Sequence, residues 1–436
     1  MKSSIKVARS ATDLKSFLQT TIKSSHFKLS PIRLSQQQEW NLIHGVLGHK
    51  SGGFFYITGL VDNVTGEEQL VLYQPQGAFN GLVVCKQGQD VYILLQARVE
   101  PGNSGIGQYG PTIQSTPANY LRFHGGKETP YFDFFFKYNP QIKPIANSMQ
   151  LDLGKRYFQK SKILSYVESY SLVETAENMI WIPLKMITEV LHYDNFLNTD
   201  LRSMIGVFDW DLFLDRDSRS TFHTNTSLIN NPCFNNNSIG KDMGTLVPIS
   251  QLQNWKLTDE GIIDKANTGV SVNIYQVIGK TREVKTWIQP LMCTANRGLI
   301  TLLMRQVSDN SLNASLSQTE FLISYQSEFG ISGEKVLLPS YIVYPGENER
   351  QQTTLYNKGK VLCEVIQSEE GGRFYQNENI YQIILVDSSF ETEGDRFWVS
   401  IDTLKGLLKT SNKVSIQLRC VASLILKNIN PYTFTE

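Results

Sequence analysis

The sequence has few cysteines, and they are poorly placed for a shared role. Cys85, Cys233, Cys293, Cys363 and Cys420 are the five cysteines of a chain of 436 residues, and no Cys-x-x-Cys pair occurs. An odd number of widely separated cysteines indicates neither a disulfide framework nor a zinc site. We therefore expect reduced and mostly buried thiols.

The sequence also lacks an excess of charge and any long apolar run. Its 41 basic residues balance 41 acidic residues, so it carries no broad electrostatic footprint for nucleic acid or an anionic membrane. No apolar run approaches the roughly 18 residues of a membrane span, and the first residues contain no signal-peptide core. We expect a cytoplasmic protein that binds neither nucleic acid nor a membrane.

Motifs that bind common cofactors are missing as well. The chain contains no metal-ligand cluster, no Walker loop and no Gly-x-Gly-x-x-Gly motif opening a helix in a βαβ unit. The sequence therefore predicts that neither a metal ion nor an organic cofactor is bound.

The stretch from Leu94 to Gly126 is the first candidate for a small-molecule site. The apolar run from Val91 to Leu95 passes into alternating polar residues at Gln96, Arg98 and Glu100. This pattern is typical of a strand whose one face stops being core and begins to hold polar groups. The glycines and prolines that follow predict a tight, ordered loop beside the strand end.

An internal repeat divides the chain into two copies. Three groups of residues recur in the same order at offsets of 215, 228 and 217: Trp40 and Gln74-Pro75 as Trp255 and Gln289-Pro290; Glu100, Gly102 and Pro111 as Glu328, Gly330 and Pro339; and Gln150, Trp181, Asn195 and Arg202 as Gln367, Trp398, Asn412 and Arg419. A period of this length is a domain and not a solenoid unit. The sequence therefore predicts two domains of one fold.

Each copy is predicted to be a mixed sheet with one or two helices, in an α/β or α+β arrangement. Apolar residues at i, i+3 and i+4 predict a helix after each late tryptophan, at Ile187, Val190 and Leu191 and at Leu404, Leu407 and Leu408. The predicted parts are an N-terminal arm (1–30), a first domain (31–220), a polar linker (221–245) and a second domain (246–436). We expect the two domains to pack as an intrachain pseudo-dimer.

The two copies retain different polar residues. Gln96 becomes Ser324, Arg98 becomes Gln326, and Asn119-Tyr120 becomes Glu347-Asn348. The stretch from Leu94 to Gly126, called the central loop, therefore carries more polar groups suited to a ligand in the first copy. The second copy instead carries a polar late block, which runs from Ser368 through Glu369, Glu370, Gly371, Gly372, Arg373 and Phe374 to Tyr375.

These motifs resemble a known enzyme family. The run from Gln96 to Asn103 with Pro111–Gln114 and Asn119-Tyr120, the early block from His49 to Phe55 and the late block are similar to the nucleotide-diphospho-hexose 2,3-dehydratases. The resemblance covers about Trp40 to Leu426. It implies a lyase of deoxysugar biosynthesis that removes water from a thymidine-diphosphate (dTDP)-linked 4-keto-6-deoxyglucose, giving the 3,4-diketo-2,6-dideoxy sugar. It also implies two Nudix-like domains per subunit, a homodimer and functional coupling to a 3-ketoreductase.

This reaction requires acid and base groups around a ketone. The C4 ketone acidifies the C3 hydrogen, so elimination of the C2 hydroxyl needs a base at C3, donors to the C4 oxygen and a proton for the leaving hydroxyl. No metal or organic cofactor is required. Glu100 and His49 are the candidate bases, although Glu100 could instead bind a sugar hydroxyl or fix the loop, and His49 could be structural. Tyr120 and Asn119 could donate to the C4 oxygen or to the leaving group, or could pack the loop.

The remaining candidates are substrate-binding residues. Arg98 and Arg373 could clamp the diphosphate, because the planar guanidinium suits phosphate oxygens, or either could form a surface or structural ion pair. The aromatic rings could stack on thymine, although core packing is the alternative for each. The other candidates are Gln96, Gln114, His124, Phe55, Trp287, Glu369 and Tyr375.

Two other functions stay open at this stage. One is a non-catalytic nucleotide-sugar-binding protein with decayed sites. The other is diphosphate hydrolysis, which would need a glutamate-rich helix with an Arg-Glu pair to hold magnesium. The pair Arg282-Glu283 stands in a strand-like context and does not fit that pattern.

Overall fold

A computed structural model describes residues 4–122, 128–208, 244–280, 284–308, 317–331, 335–345, 357–392 and 394–428. It shows a mixed α+β fold made mostly of sheet, which confirms the coarse fold class. Several residues named above lie outside the described residues: His124, Glu347-Asn348, Arg282-Glu283 and most of the predicted linker.

The elements follow one another as strands with short helices between them. The strands up to the end of the first half are β1 (Lys28–Pro31), β2 (Trp40–Ile43), β3 (Val46–His49), β4 (Tyr56–Val61), β5 (Glu68–Tyr73), β6 (Ala78–Gln87), β7 (Asp90–Val99), β8 (Gly107–Gly110), β9 (Ile113–Ser115), β10 (Ile142–Leu151), β11 (Ser161–Ser169) and β12 (Met179–Pro183). The strands that follow are β13 (Thr245–Val247), β14 (Trp255–Thr258), β15 (Gly261–Asp264), β16 (Val270–Ile278), β17 (Thr286–Thr294), β18 (Gly298–Ser308), β19 (Ser317–Ser327), β20 (Lys335–Pro339), β21 (Tyr341–Val343), β22 (Lys360–Ser368), β23 (Phe374–Tyr375), β24 (Glu378–Leu385) and β25 (Arg396–Ser400). The helices are α1 (Ala11–Ser25), α2 (Pro117–Tyr120), α3 (Asp133–Phe136), α4 (Leu184–Val190), α5 (Thr199–Val207), α6 (Ile401–Leu408), α7 (Ile416–Ser423) and α8 (Ile425–Asn428).

The helical spacing predicted after each late tryptophan is confirmed. Helix α4 follows β12, and its N-cap is Pro183. Helix α6 follows β25, and its N-cap Ser400 accepts a hydrogen bond from the backbone N–H of Thr403 through its side chain. Both helices turn their apolar residues inward, among them Ile187 and Leu404. Within the described residues, no helix is long and apolar enough to cross a membrane.

The two seven-stranded sheets have the same connectivity. In the first, the order is β10-β11-β6-β7-β12, with β8 also on β7 and β9 also on β6. In the second, the order is β22-β24-β18-β19-β25, with β20 also on β19 and β21 also on β18. The pairs β11·β6 and β24·β18 are parallel and the other pairs are antiparallel. A register shift follows Pro144 in one sheet and Val361, 217 residues later, in the other.

Two smaller sheets exchange strands between the halves. The five-stranded sheet has the order β13-β4-β3-β2 with β5 on β4, and the six-stranded sheet has the order β14-β15-β16-β17-β23 with β1 on β16. Strand β1, which precedes the first half, therefore pairs with the second half, and β13, which precedes the second half, pairs with the first. The N-terminal segment is thus part of the packed fold, and Leu14 and Leu18 of α1 are buried.

Arg419, one of the two repeated arginines, connects the two halves. Helices α5 and α7 pack closely, since a Cβ added to Gly206 would lie 2.2 Å from the carbonyl oxygen of Arg419. The guanidinium of Arg419 donates to Ser203 Oγ over 2.7 Å. Its counterpart Arg202 donates within the first half, to the carbonyl oxygen of Leu191 over 2.7 Å. The largest cluster of buried apolar side chains accordingly draws on both halves.

Candidate active site

Three of the predicted site residues lie together at the end of β7. Arg98 Nη1 donates to Gln96 Oε1 over 2.7 Å, and Arg98 Nη2 donates to Glu100 Oε1 over 2.8 Å. The side chains of Arg98 and Glu100 are only 13% and 7% exposed. A charge-assisted pair in such surroundings is stronger than one in water, so the strand end carries a well-ordered carboxylate.

A split in the sheet brings Gln114 to the same place. Strands β6 and β7 pair with each other at Val83 and Leu94, and further along β9 lies on β6 while β8 lies on β7. Thr112 closes the split, because its Oγ1 accepts from the backbone N–H of Val83 and donates to the carbonyl oxygen of Leu94. Arg98 Nη1 then reaches the carbonyl oxygen of Gln114 over 3.3 Å.

The late block of the second half meets the loop of the first half. The backbone N–H of Gly102 donates to the carbonyl oxygen of Gly371 over 2.8 Å, and that of Gln376 donates to the carbonyl oxygen of Gly102 over 2.7 Å. Gln108 Nε2 donates to Ser368 Oγ over 3.0 Å. The polar segments that the two copies retain separately are therefore in contact.

A matching contact lies at the other junction of the halves. The backbone N–H of Gln159 donates to the carbonyl oxygen of Gly330 over 2.8 Å. Glu328, the counterpart of Glu100, is buried and accepts from Tyr344 Oη over 2.7 Å, and burial raises the pKa of its carboxyl group. The residue at the position of Arg98 is Gln326, so this glutamate is held by a different set of donors.

Next to the late block lies a buried ionic network that no sequence pattern indicated. Lys162 Nζ lies 2.8 Å from Asp200 Oδ1, 3.0 Å from Asp152 Oδ2 and 3.4 Å from Glu370 Oε2, and Lys160 Nζ lies 3.3 Å from the same oxygen of Glu370. Burial alone would raise the pKa of Glu370, but the two lysines and a nearby arginine outweigh burial and hold that pKa well below its usual value. Within the described ranges, no group of three or more His, Cys, Asp and Glu side chains is arranged to hold a metal ion.

The carboxyl pKa of Glu369 is shifted in the opposite direction from that of Glu370. Its Oε1 accepts from Asn379 Nδ2 over 2.6 Å, whereas its Oε2 is buried and has no hydrogen-bond partner among the described residues. Burial, followed by the charge of Asp152, raises the pKa of this carboxyl group to about 8. Glu369 is therefore largely protonated at neutral pH and can donate a hydrogen bond.

Arg373 and three predicted aromatic residues surround the other end of the late block. Arg373 Nη2 donates to Gln74 Oε1 over 3.1 Å, and the guanidinium lies 4.2 Å from the ring centroid of Phe55. Tyr375 stacks on Tyr275 with ring centroids 4.8 Å apart. Trp287 packs in the same apolar cluster as these two tyrosines. The guanidinium and the aromatic rings are thus brought close to the late block.

His49 occupies a different part of the molecule from Glu100. It ends β3 in the five-stranded sheet, where its Nδ1 lies 2.7 Å from Ser51 Oγ and its ring lies edge-on to Phe54 at 4.7 Å. Its ring also lies 5.4 Å from Trp40, which contacts the Phe55 ring beneath Arg373. The structure therefore links His49 to the arginine end of the site through aromatic rings.

Asn119 and Tyr120 lie on α2, directly after β9. Tyr120 stacks on Phe132 with ring centroids 4.9 Å apart, and burial raises the pKa of its hydroxyl. Asn119 is exposed. Because β9 also carries Gln114, these two residues stand at the same end of the first seven-stranded sheet as the Arg98–Glu100 pair.

Three residues that contact the candidate site or its ionic network were not predicted from the sequence. Asn198 Nδ2 donates to Gln114 Oε1 over 2.8 Å, and Lys162 and Asp200 belong to the ionic network. A comparison of the two copies at the 217-residue offset could have found them. Asn198 becomes Ser415, Asp200 becomes Gln417 and Lys162 becomes Asn379.

The comparisons with known proteins agree with the resemblance seen in the motifs. The family model described as NDP-hexose 2,3-dehydratase matches residues 11–208 and 241–425. A dTDP-4-dehydro-6-deoxy-alpha-D-glucopyranose 2,3-dehydratase of Amycolatopsis orientalis is 25% identical over 95% of this chain and 89% of its own length. Proteins with the same name from Saccharopolyspora spinosa (25% identical, 95% of this chain, 91% of theirs) and Streptomyces violaceoruber (24%, 87% and 88%) are also similar. The chain belongs to the NDP-hexose 2,3-dehydratase family.

Proposed function

We propose that this protein is a hydro-lyase that converts dTDP-4-keto-6-deoxyglucose to dTDP-3,4-diketo-2,6-dideoxyglucose in deoxysugar biosynthesis. The names of three relatives that span most of the chain support this substrate. The observation that carries the proposal is the Arg98–Glu100 pair at the junction of the central loop with the late block. It provides a carboxylate, a cation and several amides in one partly buried place.

The proposed reaction begins at C3 of the sugar. Glu100 removes the C3 proton, and the electron pair moves into the C4 carbonyl to give an enolate that Arg98, Asn119 or Tyr120 stabilises by donating to the C4 oxygen. The enolate then expels the C2 hydroxyl, which leaves as water after receiving a proton. The enol that remains gains a proton at C2 and loses the C3 hydroxyl proton, so the products are one water and the diketo sugar.

The nucleotide is assigned to the late block. Arg373 offers a planar guanidinium for the diphosphate, and Phe55, Trp287 and Tyr375 offer aromatic surface for thymine. The hydrogen bond between Gly102 and Gly371 supports this arrangement, because it holds the late block beside Glu100. Gln96 and Gln114 are assigned to the sugar hydroxyls, and Glu369 is assigned as a protonated donor at the substrate.

The finer architecture belongs to the same proposal. We assign each half to a Nudix-like domain that arose by tandem duplication, with residues 31–220 and 246–436 forming an intrachain pseudo-dimer. The common strand order of the two large sheets supports duplication. The proposal includes a cytoplasmic homodimer whose product is consumed by a 3-ketoreductase.

The direct test is incubation of the purified full-length protein with dTDP-4-keto-6-deoxyglucose, followed by mass spectrometry. We expect a product lighter by one water, which carries one deuterium at C2 when the reaction runs in deuterium oxide. Bound but unchanged substrate would instead favour the non-catalytic reading. Magnesium-dependent release of nucleotide monophosphate would favour hydrolysis.

A further inference from the structure

We propose that the first turn of α5, with Asn198, Thr199 and Asp200, is a positioning element that aligns the contributions of the two halves to the active site. The inference rests on the proposed function. These residues lie in sequence next to one another, yet their side chains attach to three different parts of the site. Asn198 contacts the central loop, Thr199 contacts the start of the late block, and Asp200 belongs to the ionic network.

Asn198 uses both ends of its carboxamide. Its Oδ1 accepts from the backbone N–H of Leu201 and so caps the helix, while its Nδ2 donates to Gln114 Oε1 over 2.8 Å. Gly110 leaves room for this contact, since an added Cβ would lie 2.9 Å from Asn198 Nδ2 and 2.6 Å from Arg98 Cδ. Asn198 therefore fixes the orientation of Gln114 and packs against the residues that hold Arg98.

Thr199 contacts the second half directly, and Asp200 is connected to it through Lys162. Thr199 Oγ1 donates to the carbonyl oxygen of Ser368 over 2.7 Å, at the start of the late block. Asp200 lies 2.8 Å from Lys162 Nζ, and Lys162 is 3.4 Å from Glu370 inside the late block. One helical turn thus ties Gln114 of the first half to the segment that carries Arg373.

The first turn of α7 is the equivalent turn of the second half. It keeps the side chain that caps the helix, but different residues stand at the positions of Thr199, Asp200 and Gln114. Ser415 caps α7 through its Oγ, which accepts from the backbone N–H of Leu418 over 3.2 Å. Ile416 and Gln417 stand where the first half has Thr199 and Asp200, and Ile342 stands where it has Gln114. Capping alone therefore requires only a serine, and the further polar contacts of the first half are not needed to start the helix.

The variant Asn198→Ser separates the two roles, because serine can still cap the helix but cannot reach Gln114. We expect Asn198→Ser to lower kcat/KM for dehydration by about 10- to 100-fold, as small misplacements of substrate-binding groups do. The midpoint of thermal unfolding should change little. The control Ser415→Ala removes the equivalent cap in the second half, so it should lower the unfolding midpoint and leave kcat/KM unchanged.

A binding measurement gives a readout independent of turnover. Calorimetry with dTDP and with the unreactive analogue dTDP-glucose isolates the contribution of the sugar. We expect Asn198→Ser to weaken dTDP-glucose binding and to leave dTDP binding unchanged. Thr199→Val, which removes the bond to Ser368, should weaken both ligands, because it loosens the late block.

The outcomes distinguish the two proposals. An Asn198→Ser protein with wild-type kcat/KM and wild-type preference for dTDP-glucose over dTDP overturns the positioning role, while the proposed function stands. Equal loss of activity in Asn198→Ser and Ser415→Ala also overturns it, since a general effect of disturbing the start of either helix would then explain both. A wild-type protein that neither dehydrates the substrate nor binds dTDP-glucose overturns the proposed function, and this inference with it.

Discussion

Gly102 and Gly371 lie in direct backbone contact, with the N–H of Gly102 donating to the carbonyl oxygen of Gly371 over 2.8 Å. One glycine follows Glu100 in the first half, and the other precedes Arg373 in the second half. The two segments approach so closely that a Cβ on Gly102 would lie 1.6 Å from the carbonyl oxygen of Phe374. The contact therefore determines how the candidate base sits relative to the candidate diphosphate site.

Replacing Gly102 by alanine should disrupt this junction. Because the added methyl group meets backbone atoms that cannot rotate away, we expect Gly102→Ala to cost at least about 3 kcal/mol of unfolding free energy, together with most of the activity. Gly372 offers a matched control, since the nearest atom to its Cβ position is 3.9 Å away. Urea unfolding should show Gly372→Ala within about 1 kcal/mol of wild type, and similar losses in both variants would contradict the argument.

Substitution by glutamine can decide whether Glu100 or His49 is the base that removes the C3 proton. Glu100→Gln keeps an oxygen that accepts from Arg98 but removes the basic carboxylate. We expect it to lower kcat by about 10²- to 10⁴-fold, and to do so without a comparable loss of substrate affinity. His49→Gln should retain clearly more activity, because His49 lies in the five-stranded sheet against Ser51 and Phe54. The reverse order of activities would transfer the role of base to His49.

Glu369 should make stability depend on pH in an unusual direction. Burial and Asp152 raise its folded-state pKa to about 8, whereas an unfolded glutamate has a pKa of about 4.3. Between these two values the folded protein holds a proton that the unfolded chain has released, so this group makes stability fall as the pH rises. Glu369→Gln should remove that decline.

The measurement is the unfolding free energy of wild type and Glu369→Gln at about pH 5 and about pH 8. Wild type should lose stability relative to the variant at the higher pH. A parallel decline of the two proteins would mean that Glu369 does not bind this proton in the folded state.

The ionic network should be sensitive to the loss of a single lysine. Lys162→Met removes the lysine that pairs with the buried Asp200 and leaves Asp152 and Glu370 with Lys160. We expect a loss of about 3 to 5 kcal/mol of unfolding free energy. Lys137 forms an ion pair of similar length, 2.8 Å, with Asp133 on the surface, where both side chains are largely exposed. Lys137→Met should leave the thermal midpoint unchanged, and equal effects of the two variants would contradict the importance of burial.

Much of the fold could be predicted from local sequence features. The repeated tryptophans, the offset near 217 residues and the helical spacing at Ile187 and Leu404 indicated two copies of a mixed fold, and helices α4 and α6 lie where that spacing predicts. The helical spacing depends on residues close together in the chain, and the repeat requires only a comparison of the chain with itself. The family was also evident from the sequence, because long motifs such as Gln96 to Asn103 lie within single segments.

The composition of the site was decided by tertiary structure. The sequence determined which polar residues each copy kept, but the packing of the two halves determined that Gly102, two residues after Glu100, contacts Gly371, which lies between Glu370 and Arg373. Asn198 and Lys162 were missed because their partners are distant in sequence and no local period links them. Periodicity reports which face of one element is buried, whereas hydrogen bonds and ion pairs between elements form only when the halves pack together.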